Sequence, residues 1–299
     1  MGSGTLRVGV AQVDCDLGDV GANLERHAAW IARARDEGVD LLLFPELSLT
    51  GYRLGSGVLD VARSRDDAIF AELAGVAPDM TVVLGLVEEG PAAQLYNTAF
   101  ALHGGRLLFL HRKLNLPTYG NLEEGKIFAS GNHVETFSTG APWRHGVLIC
   151  ADLWNPALVH LSMLHGATAL LAPVNSAVDA VGGDFSNPEG WRLTVTFYAM
   201  MYGMPVVMAN RVGEEEGARF WGGSCIVGPT GEVLAEAGDD EALLVAEIAF
   251  EDVRRARFRL PTVRDSNIDL VHRELDRLVA HVGVPTFVRD PFFRDEPGG

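Results

Sequence analysis

The chain has 299 residues, of which 47% are hydrophobic, and this combination is typical of a globular protein with a large buried core rather than a disordered one. Its formal net charge of −16 repels phosphate backbones, so we expect no binding to nucleic acid. Its apolar runs all fall short of the roughly 18 residues that a membrane-spanning helix needs, so we also expect no membrane partner.

Short apolar runs alternate with segments of helical periodicity along most of the chain. The runs that predict strands are residues 6–13, 41–44, 81–87, 96–102, 106–111, 146–149, 169–174 and 205–209. The segments that predict helices are residues 20–37, one starting near residue 66, one starting after Asn155-Pro156, and residues 191–202. In the third of these helices we expect Leu158, Leu161 and Leu164 to form the apolar face. The runs at 96–102 and 106–111 flank His-Gly-Gly and predict a hairpin.

The alternation of strands and helices predicts an α/β protein with a layered architecture. Several predicted strands are continuous apolar runs, which is typical of strands covered on both faces. We find no linker-like stretch and expect a single domain at residues 5–282. The tail at residues 283–299 carries phenylalanine and proline among charges, and we expect it to dock either on its own body or on a neighbouring subunit.

Three polar residues stand at the ends of predicted strands. Glu46 follows an apolar run, where partial burial raises a carboxyl pKa and suits a general base. Lys113 follows the predicted hairpin and can stabilise an oxyanion or lower the pKa of a nearby thiol. Cys150 closes the run at 146–149, at the edge where open α/β sheets place their chemistry. Taken singly, each residue fits a structural role better, for instance a buried cysteine that acts as a small hydrophobe.

The order and surroundings of these three residues favour a catalytic interpretation. Glu46 lies in Phe-Pro-Glu-Leu-Ser-Leu-Thr-Gly-Tyr, Lys113 in Arg-Lys-x-x-Leu-Pro-Thr-Tyr-Gly, and Cys150 in Leu-Ile-Cys-Ala-Asp-Leu-Trp. These motifs resemble those of the nitrilase superfamily of carbon–nitrogen hydrolases, whose signature is a Glu-Lys-Cys triad. Weaker similarities are Tyr-Asn-Thr-Ala at 96–99, Phe-Trp-Gly-Gly-Ser at 220–224 and a turn at 228–232 that resembles the late hairpin of the family. The resemblance covers roughly residues 5–260.

The resemblance implies a covalent two-step hydrolysis without a metal or organic cofactor. Glu46 would act as the base and Cys150 would attack an amide carbonyl to form a thioester. Lys113 and the backbone N–H of Ala151 would receive the oxyanion.

The resemblance also implies a second glutamate, an architecture and an assembly. Many members carry a glutamate eleven residues after the lysine, which is Glu124 here, with Glu123 as a neighbouring candidate. The aromatic residue that is common two places earlier is Leu122 in this chain. The implied fold is a four-layer α-β-β-α sandwich, and the implied assembly is a homodimer or larger homo-oligomer that stacks through helices near the nucleophile.

The residues after the nucleophile narrow the substrate to a small carboxamide that releases ammonia or an amine. True nitrilases usually have Cys-Trp-Glu, whereas this chain has Cys-Ala-Asp. Carbamoyl-amino-acid hydrolases often place an arginine where Leu153 and Trp154 stand, so a carboxylate clamp would have to come from Arg192 or Arg211. Hydrolysis of an N-carbamoyl amide or of a nitrile is the alternative within the family. A catalytically silent binding or scaffold protein is the alternative of another class.

Tyr119, Trp154 and Asn175 are candidates for the substrate pocket, because each lies just past a motif or a strand end. Packing within the scaffold is the alternative for all three. The Glu-Glu-Glu run at 214–216 predicts a solvated loop.

Cys15 and Cys225 lack comparable surroundings, and we expect both to be structural. Three cysteines do not make a disulfide framework, and no secretory signal segment is recognisable. We therefore expect a cytoplasmic protein.

Overall fold

The structure is a computed structural model that describes residues 4–182 and 184–282, with the side chains of residues 281 and 282 left out. The predicted tail at 283–299 lies outside the described residues. The residues up to Leu260 form one compact unit, and those from Pro261 onward form a second. A compact unit need not be a domain that folds alone, so the single domain at residues 5–282 stays a prediction.

Strands and helices alternate through the first unit, and the second unit contains one described helix. The strands are β1 (Thr5–Gln12), β2 (Leu41–Leu43), β3 (Thr81–Glu89), β4 (Leu95–His103), β5 (Arg106–Arg112), β6 (Thr136–Gly140), β7 (Trp143–Val147), β8 (Ala169–Val174), β9 (Val206–Asn210), β10 (Val212–Glu215), β11 (Ala218–Trp221), β12 (Cys225–Val227), β13 (Val233–Glu236) and β14 (Ala242–Ala249). The helices are α1 (Val20–Asp36), α2 (Val58–Val61), α3 (Ala68–Val76), α4 (Pro156–Leu164), α5 (Asn187–Tyr202), α6 (Phe250–Arg259) and, in the second unit, α7 (Ile268–Val282).

The helix boundaries follow local capping chemistry. The Asp19 side chain accepts a hydrogen bond from the Ala22 N–H at the start of α1, and Gly38 follows its end with a φ of 71°. The Asn155 side chain caps α4 in the same way, just ahead of Pro156. These capping residues confirm the predicted starts of both helices.

Two six-stranded sheets organise the described residues, in the orders β14-β1-β2-β3-β4-β5 and β13-β12-β9-β8-β7-β6. In the first sheet β1, β2 and β3 are parallel, and in the second β7, β8 and β9 are parallel. Strands β4 and β5 form the predicted antiparallel hairpin, and the turn at 228–232 joins β12 and β13 in another. Because β3–β4 and β4–β5 are both antiparallel, β5 points the same way as β2 and β3.

The two sheets pack face to face between two layers of helices. Val83 of the first sheet and Leu171 of the second share one buried apolar cluster. On the outer face of the first sheet, Ile31 of α1 and Leu73 of α3 complete a second cluster. Val195 of α5 belongs to a third cluster on the outer face of the second sheet. The architecture is therefore the four-layer α-β-β-α sandwich that the resemblance implies.

Helix α4 buries only part of the face that we predicted. Leu158 packs against the third cluster and Leu164 is half-buried, whereas Leu161 is 42% exposed. The buried residues of the helix are Val159, Ser162 and Met163. A Cβ on Gly146 of β7 would lie 2.0 Å from the Ser162 Oγ, so a small residue on each element permits a close approach. The prediction is therefore wrong at Leu161, because this approach turns the Ser162 side of the helix toward the sheet.

Within the part of the chain that the structure describes, the helices are too short or too polar to cross a membrane.

Candidate active site

The polar residues predicted at strand ends meet at one edge of the two sheets. Glu46 and Lys113 follow β2 and β5 of the first sheet, and Cys150 and Asn175 follow β7 and β8 of the second. All four strands point the same way within their sheets. The Glu46 N–H donates to the Val174 carbonyl (3.4 Å), and the Asn175 Nδ2 donates to the Glu46 carbonyl (3.3 Å). These bonds tie the first sheet to the second beside the site.

The segment that carries Glu46 lies directly on β3 because β3 has a glycine there. A Cβ on Gly85 would lie 2.3 Å from the Leu47 backbone nitrogen, a distance that no side chain permits. Leu47 itself has a φ of 49°, in the left-handed region. This sharp turn leaves the Glu46 side chain 1% exposed.

Glu46, Lys113 and Glu124 form one buried ionic cluster. The Lys113 Nζ donates to the Glu46 Oε1 (2.6 Å) and to the Glu124 Oε1 (2.7 Å). The neighbouring candidate, Glu123, is instead exposed and pairs with Lys126. The structure therefore places Glu124, and not Glu123, beside the lysine.

The charges in this cluster are strongly coupled. Burial lowers the pKa of Lys113, but the carboxylates of Glu124 and Glu46 outweigh burial and raise it well above its ordinary value. Burial raises the pKa of Glu124 against the opposing effect of Lys113. The lysine is consequently a fixed positive charge. One oxygen of each glutamate, Oε2 in both, is buried and has no hydrogen-bond partner among the described residues.

Two further residues hold the glutamates, and the sequence did not single them out. The Asn97 Nδ2 donates to the Glu46 Oε1 (2.7 Å), and the Tyr52 hydroxyl donates to the Glu124 Oε1 (2.5 Å). Each lies inside a motif that carries the family resemblance, and this position was the available signal. Both hydrogen bonds go to Oε1 atoms, so the Oε2 atom of each glutamate stays unpaired among the described residues.

Cys150 begins a short 3₁₀ helix, Cys150–Trp154, with a φ of 44°. Such a left-handed conformation costs a non-glycine residue about 1–3 kcal/mol and is characteristic of functional sites. Burial first, and then the nearby Glu46, raise the pKa of the Cys150 thiol well above its usual range. Lys113 and the Asn175 backbone N–H oppose this shift only in part. The thiol is therefore protonated at neutral pH and needs a base before it can attack.

Asp152 links the loop after Lys113 to the loop that carries Cys150. Its Oδ1 accepts from the N–H groups of Leu114 (3.0 Å) and Asn115 (2.7 Å). Its Oδ2 accepts from the Ile149 N–H (3.0 Å) and lies 3.1 Å from the His111 Nε2. A fully buried carboxylate with this many partners fixes the two loops relative to each other.

Cys150 opens onto a cleft of about 360 Å³, including the part open to solvent. The three residues predicted to line a pocket, Tyr119, Trp154 and Asn175, all line this cleft, together with Ala151. Tyr119 and Trp154 are 50% and 38% exposed and form its rim, whereas Asn175 is buried. The remaining lining residues are Tyr52, Pro117, Leu122, Glu124, Ser176, Ala180, Val181, Asn187 and Trp191. The Asn175 Oδ1 is buried and unpaired among the described residues, like the Glu124 Oε2.

Neither arginine suggested as a carboxylate clamp lines the cleft. Arg192 pairs with Glu236 at the surface, and buried Arg211 pairs with Asp14 and Glu215. The solvated loop predicted for the three glutamates is wrong at Glu215, which is 3% exposed. The ion pair with Arg211 compensates the loss of its hydration.

Cys15 and Cys225 lie outside the cleft and are buried. Burial raises the pKa of each thiol to about 12. Across the described residues we find no group of three or more histidine, cysteine or acidic side chains placed to hold a metal ion.

Comparison with known proteins identifies the family. The carbon-nitrogen hydrolase profile matches residues 7–258, so the chain belongs to the carbon–nitrogen hydrolase family. It is 31% identical to the glutamine-dependent NAD(+) synthetase of Thermotoga maritima over 77% of this chain but only 39% of that protein. It spans 45% of a second such synthetase, from Acinetobacter baylyi, and therefore less than half the length of either relative.

Two further similarities extend over nearly the whole length of the other protein. The N-carbamoylputrescine amidase of Solanum lycopersicum is 27% identical over 84% of this chain and 89% of its own. A double mutant of the amidase from Nesterenkonia sp. AN1, solved with acrylamide, superimposes with a TM-score of 0.76 at 27% identity, over 91% of this chain and 98% of the amidase. In another structure of that amidase, the acetamide moiety of fluoroacetamide is covalently added at the active site cysteine.

Proposed function

We propose that this protein hydrolyses the carbon–nitrogen bond of a small primary carboxamide, with Cys150 as the nucleophile and ammonia as one product. The observation that carries the proposal is the pair of unpaired acceptors in the cleft, the Glu124 Oε2 and the Asn175 Oδ1. A buried acceptor without a partner costs about 1–3 kcal/mol, and a ligand that donates to it recovers this energy. A primary amide brings two N–H donors, whereas a nitrile brings none.

The first step transfers a proton within the site. The Glu46 Oε1 is occupied by Lys113 and Asn97, so the unpaired Oε2 is the atom that takes the proton from the Cys150 sulfur. As this proton moves, the sulfur attacks the carbonyl carbon, and a C–S bond forms while the carbonyl electron pair moves to oxygen. Because the raised pKa keeps the resting thiol protonated, deprotonation and attack are coupled.

The oxyanion is stabilised by groups that already stand at the site. A lysine ammonium has three N–H bonds, and Lys113 uses two of them on Glu46 and Glu124. The third is available to the oxyanion, together with the backbone N–H of Ala151, which lines the cleft.

Collapse of the intermediate breaks the C–N bond, and Glu46 returns its proton to the leaving nitrogen, which departs as ammonia. A thioester on Cys150 remains. Glu46 then takes a proton from water, the resulting hydroxide adds to the thioester carbon, and the C–S bond breaks while Glu46 returns this proton to the Cys150 sulfur. The products are a carboxylic acid and the restored thiol.

Hydrolysis of an N-carbamoyl amine is a second candidate, because it is favoured by the full-length similarity to the plant N-carbamoylputrescine amidase. A carbamoyl group ends in the same carbonyl and NH₂ as a primary carboxamide, so the unpaired acceptors suit it equally. The Nesterenkonia amidase supports the carboxamide by its complex with acrylamide.

To test the proposal, the protein is incubated with small carboxamides, N-carbamoyl amines and matching nitriles, and ammonia release from each compound is measured. We expect turnover of at least one carboxamide at a higher kcat/KM than the corresponding nitrile. Cys150→Ala should lose activity, and the wild type quenched in acid should carry an acyl mass on Cys150. An active Cys150→Ala variant would disprove the nucleophile. No turnover on any compound, with a thiol that alkylates readily, would favour the silent binding protein.

We further propose a homo-oligomer in the cytoplasm. Apolar side chains are exposed on α4 and α5, and they include Leu161, Leu193 (72% exposed), Phe197 and Met200. All three cysteines are free, as a reducing compartment would keep them. Sedimentation analysis of the wild type and Leu193→Glu tests the assembly, since we expect a dimer or larger species that the charged variant weakens.

A further inference from the structure

A second buried ionic cluster lies behind Tyr52. Arg211 is 1% exposed, and its guanidinium contacts Asp14, the Cys15 carbonyl (2.8 Å) and Glu215. It also lies over the Phe220 ring, 4.6 Å from the ring centre. This cluster does not line the cleft, so the proposed mechanism leaves it without a role.

Glu215 reaches from β10 to the turn that follows Glu46 in sequence. Its Oε1 accepts from the backbone N–H of Tyr52 (3.0 Å) and from that of Arg53. The preceding Gly51 has a φ of 82°, and a Cβ there would lie 3.2 Å from the Glu215 Oε2. The carboxylate of Glu215 therefore fixes the backbone at Tyr52, and Arg211 fixes the carboxylate.

The Tyr52 side chain extends from this turn into the cleft and determines how Glu124 is oriented. Its hydroxyl and the Lys113 Nζ both donate to the same oxygen, Glu124 Oε1. The other oxygen, Oε2, is left unpaired. Without the hydroxyl, one donor fewer holds Oε1, and the carboxylate can rotate about its Cγ–Cδ bond so that the unpaired oxygen turns away from the substrate.

We propose that Tyr52 is a positioning residue for Glu124, and that the buried Arg211–Glu215 pair holds Tyr52 in this role. The inference rests on the proposed function, because it assigns a task to Glu124 in amide binding. Neither Arg211 nor Glu215 touches the substrate; both act through the Tyr52 backbone.

The first test compares Tyr52→Phe with Tyr202→Phe. Tyr202, on α5 outside the cleft, also hydrogen-bonds through its hydroxyl, to the His160 Nδ1 (3.3 Å), so it matches the chemical change. We expect kcat of Tyr52→Phe on the best carboxamide to fall about tenfold or more, as for a lost hydrogen bond to a charged group, and KM to rise, because Glu124 binds the amide N–H groups. Tyr202→Phe should keep the wild-type kcat. A Tyr52→Phe enzyme with the kcat of Tyr202→Phe would overturn the proposal.

The pH profile separates positioning from a merely structural effect. The titratable groups around Glu124 are the side chains of Lys113, Glu46, Tyr52, Cys150 and Tyr119. The Tyr52 hydrogen bond lowers the pKa of Glu124, so its removal raises that pKa. We expect the acid limb of the activity profile to move to higher pH in Tyr52→Phe and to stay in place in Tyr202→Phe. An acid limb that does not move in Tyr52→Phe would overturn the proposal.

Glu215→Gln tests the support behind Tyr52. The variant keeps an oxygen for the two N–H groups but loses the charge that holds Arg211, so kcat should fall in the same direction. If Glu215 acts through Tyr52, the fold-loss of kcat in the double variant Tyr52→Phe/Glu215→Gln should be smaller than the product of the two single fold-losses. Fully multiplicative losses would overturn the role of Glu215. Should Glu215→Gln fail to fold, the Tyr52→Phe profile still decides the role of Tyr52.

Alkylation of Cys150 by iodoacetamide makes the test independent of hydrolysis. The reaction is followed by mass spectrometry, with Cys150→Ala as the background for the two buried cysteines. We expect the pH dependence of alkylation to shift in Tyr52→Phe and not in Tyr202→Phe, because a Glu124 carboxylate released by Tyr52 moves relative to Cys150 and so changes the Cys150 pKa. Absent amide turnover with a shifted alkylation profile would reject the proposed function and keep Tyr52 as a positioning residue. An unshifted alkylation profile would reject the positioning role.

Discussion

The two ionic clusters of this protein have the same charges, but they differ in how many of their carboxylate oxygens accept hydrogen bonds. Each contains one cation and two carboxylates: Lys113 with Glu46 and Glu124, and Arg211 with Asp14 and Glu215. Both oxygens of Glu215 accept hydrogen bonds and the Asp14 side chain is partly exposed to water, whereas Glu46 and Glu124 each keep one buried oxygen unpaired. A saturated cluster can only hold structure in place. An unsaturated one has capacity left for a proton or a substrate, and this difference supports the proposed active site.

The largest effect should come from removing the cation of the unsaturated cluster. Lys113→Met takes away a proposed oxyanion donor and leaves two buried carboxylates without a counter-charge, so the proposed amidase activity should fall at least about 10²–10³-fold. Ammonia release measures this loss. Lys126→Met is the matched control, since Lys126 pairs with Glu123 at the surface, and it should keep full activity. Equal activities of the two variants would contradict the role of Lys113.

Removing the cation of the saturated cluster should act mainly on stability. Arg211→Met leaves Glu215 buried without its partner, and breaking such a pair costs about 3–5 kcal/mol of unfolding free energy. Urea denaturation measures this loss. Arg192→Met breaks an exposed pair and should cost at most about 1 kcal/mol. If both variants unfold at the same urea concentration, the Arg211 cluster does not stabilise the fold.

Two buried histidines, His27 and His145, differ from both ionic clusters because they have no counter-charge among the described residues. Burial lowers the pKa of His27 and of His145 from 6.5 to about 4. The unfolded chain therefore takes up protons first as the pH falls, so the stability is complete above about pH 6.5 and is lost between there and about pH 4. The loss is about 3 kcal/mol for each histidine.

Urea denaturation between pH 7 and pH 4 checks this dependence. His145→Gln should flatten the curve, whereas His133→Gln, at an exposed position, should leave its slope unchanged. A slope that is the same in all three proteins would show that His145 is not the source.

The smallest effect should come from a cysteine that lacks the ionic cluster. Cys225 shares a raised pKa with Cys150 but lies in β12, outside the cleft. We expect Cys225→Ala to keep wild-type turnover and to lose about 1 kcal/mol of stability, by thermal unfolding and ammonia release. A large loss of turnover in Cys225→Ala would contradict the structural role of Cys225.

The sequence predicted the layered fold and the three residues around which the site is built. Continuous apolar runs identified strands that are covered on both faces, and polar residues stood at their ends. The family resemblance was needed to select Glu46, Lys113 and Cys150, since each alone fitted a structural role better. The choice of Glu124 over Glu123 also came from the resemblance, and the structure places Glu124 in the cluster.

The residues that the sequence missed act through contacts between distant segments. Tyr52 reaches Glu124 across 72 positions of the chain, and Asp152 reaches Leu114 across 38. No periodicity encodes such pairs, because they depend on how the two sheets pack. Glu215 was misjudged for the same reason: its partner, Arg211, is four residues away in sequence, but its burial depends on Asp14 and the Tyr52 turn.

The packing of the two sheets has a consequence for how the enzyme can be altered from a distance. Glu46 is carried by the first sheet and Cys150 by the second, so the space between the proposed base and the proposed nucleophile is set by the thickness of the apolar layer between them. Stacked sheets lie about 10 Å apart, and side-chain volume adjusts that gap. The side-chain volumes of residues such as Val207 and Leu43 therefore affect the distance between Glu46 and Cys150. Substitutions in this apolar layer, which does not contact the substrate, can change the rate of hydrolysis by changing that distance.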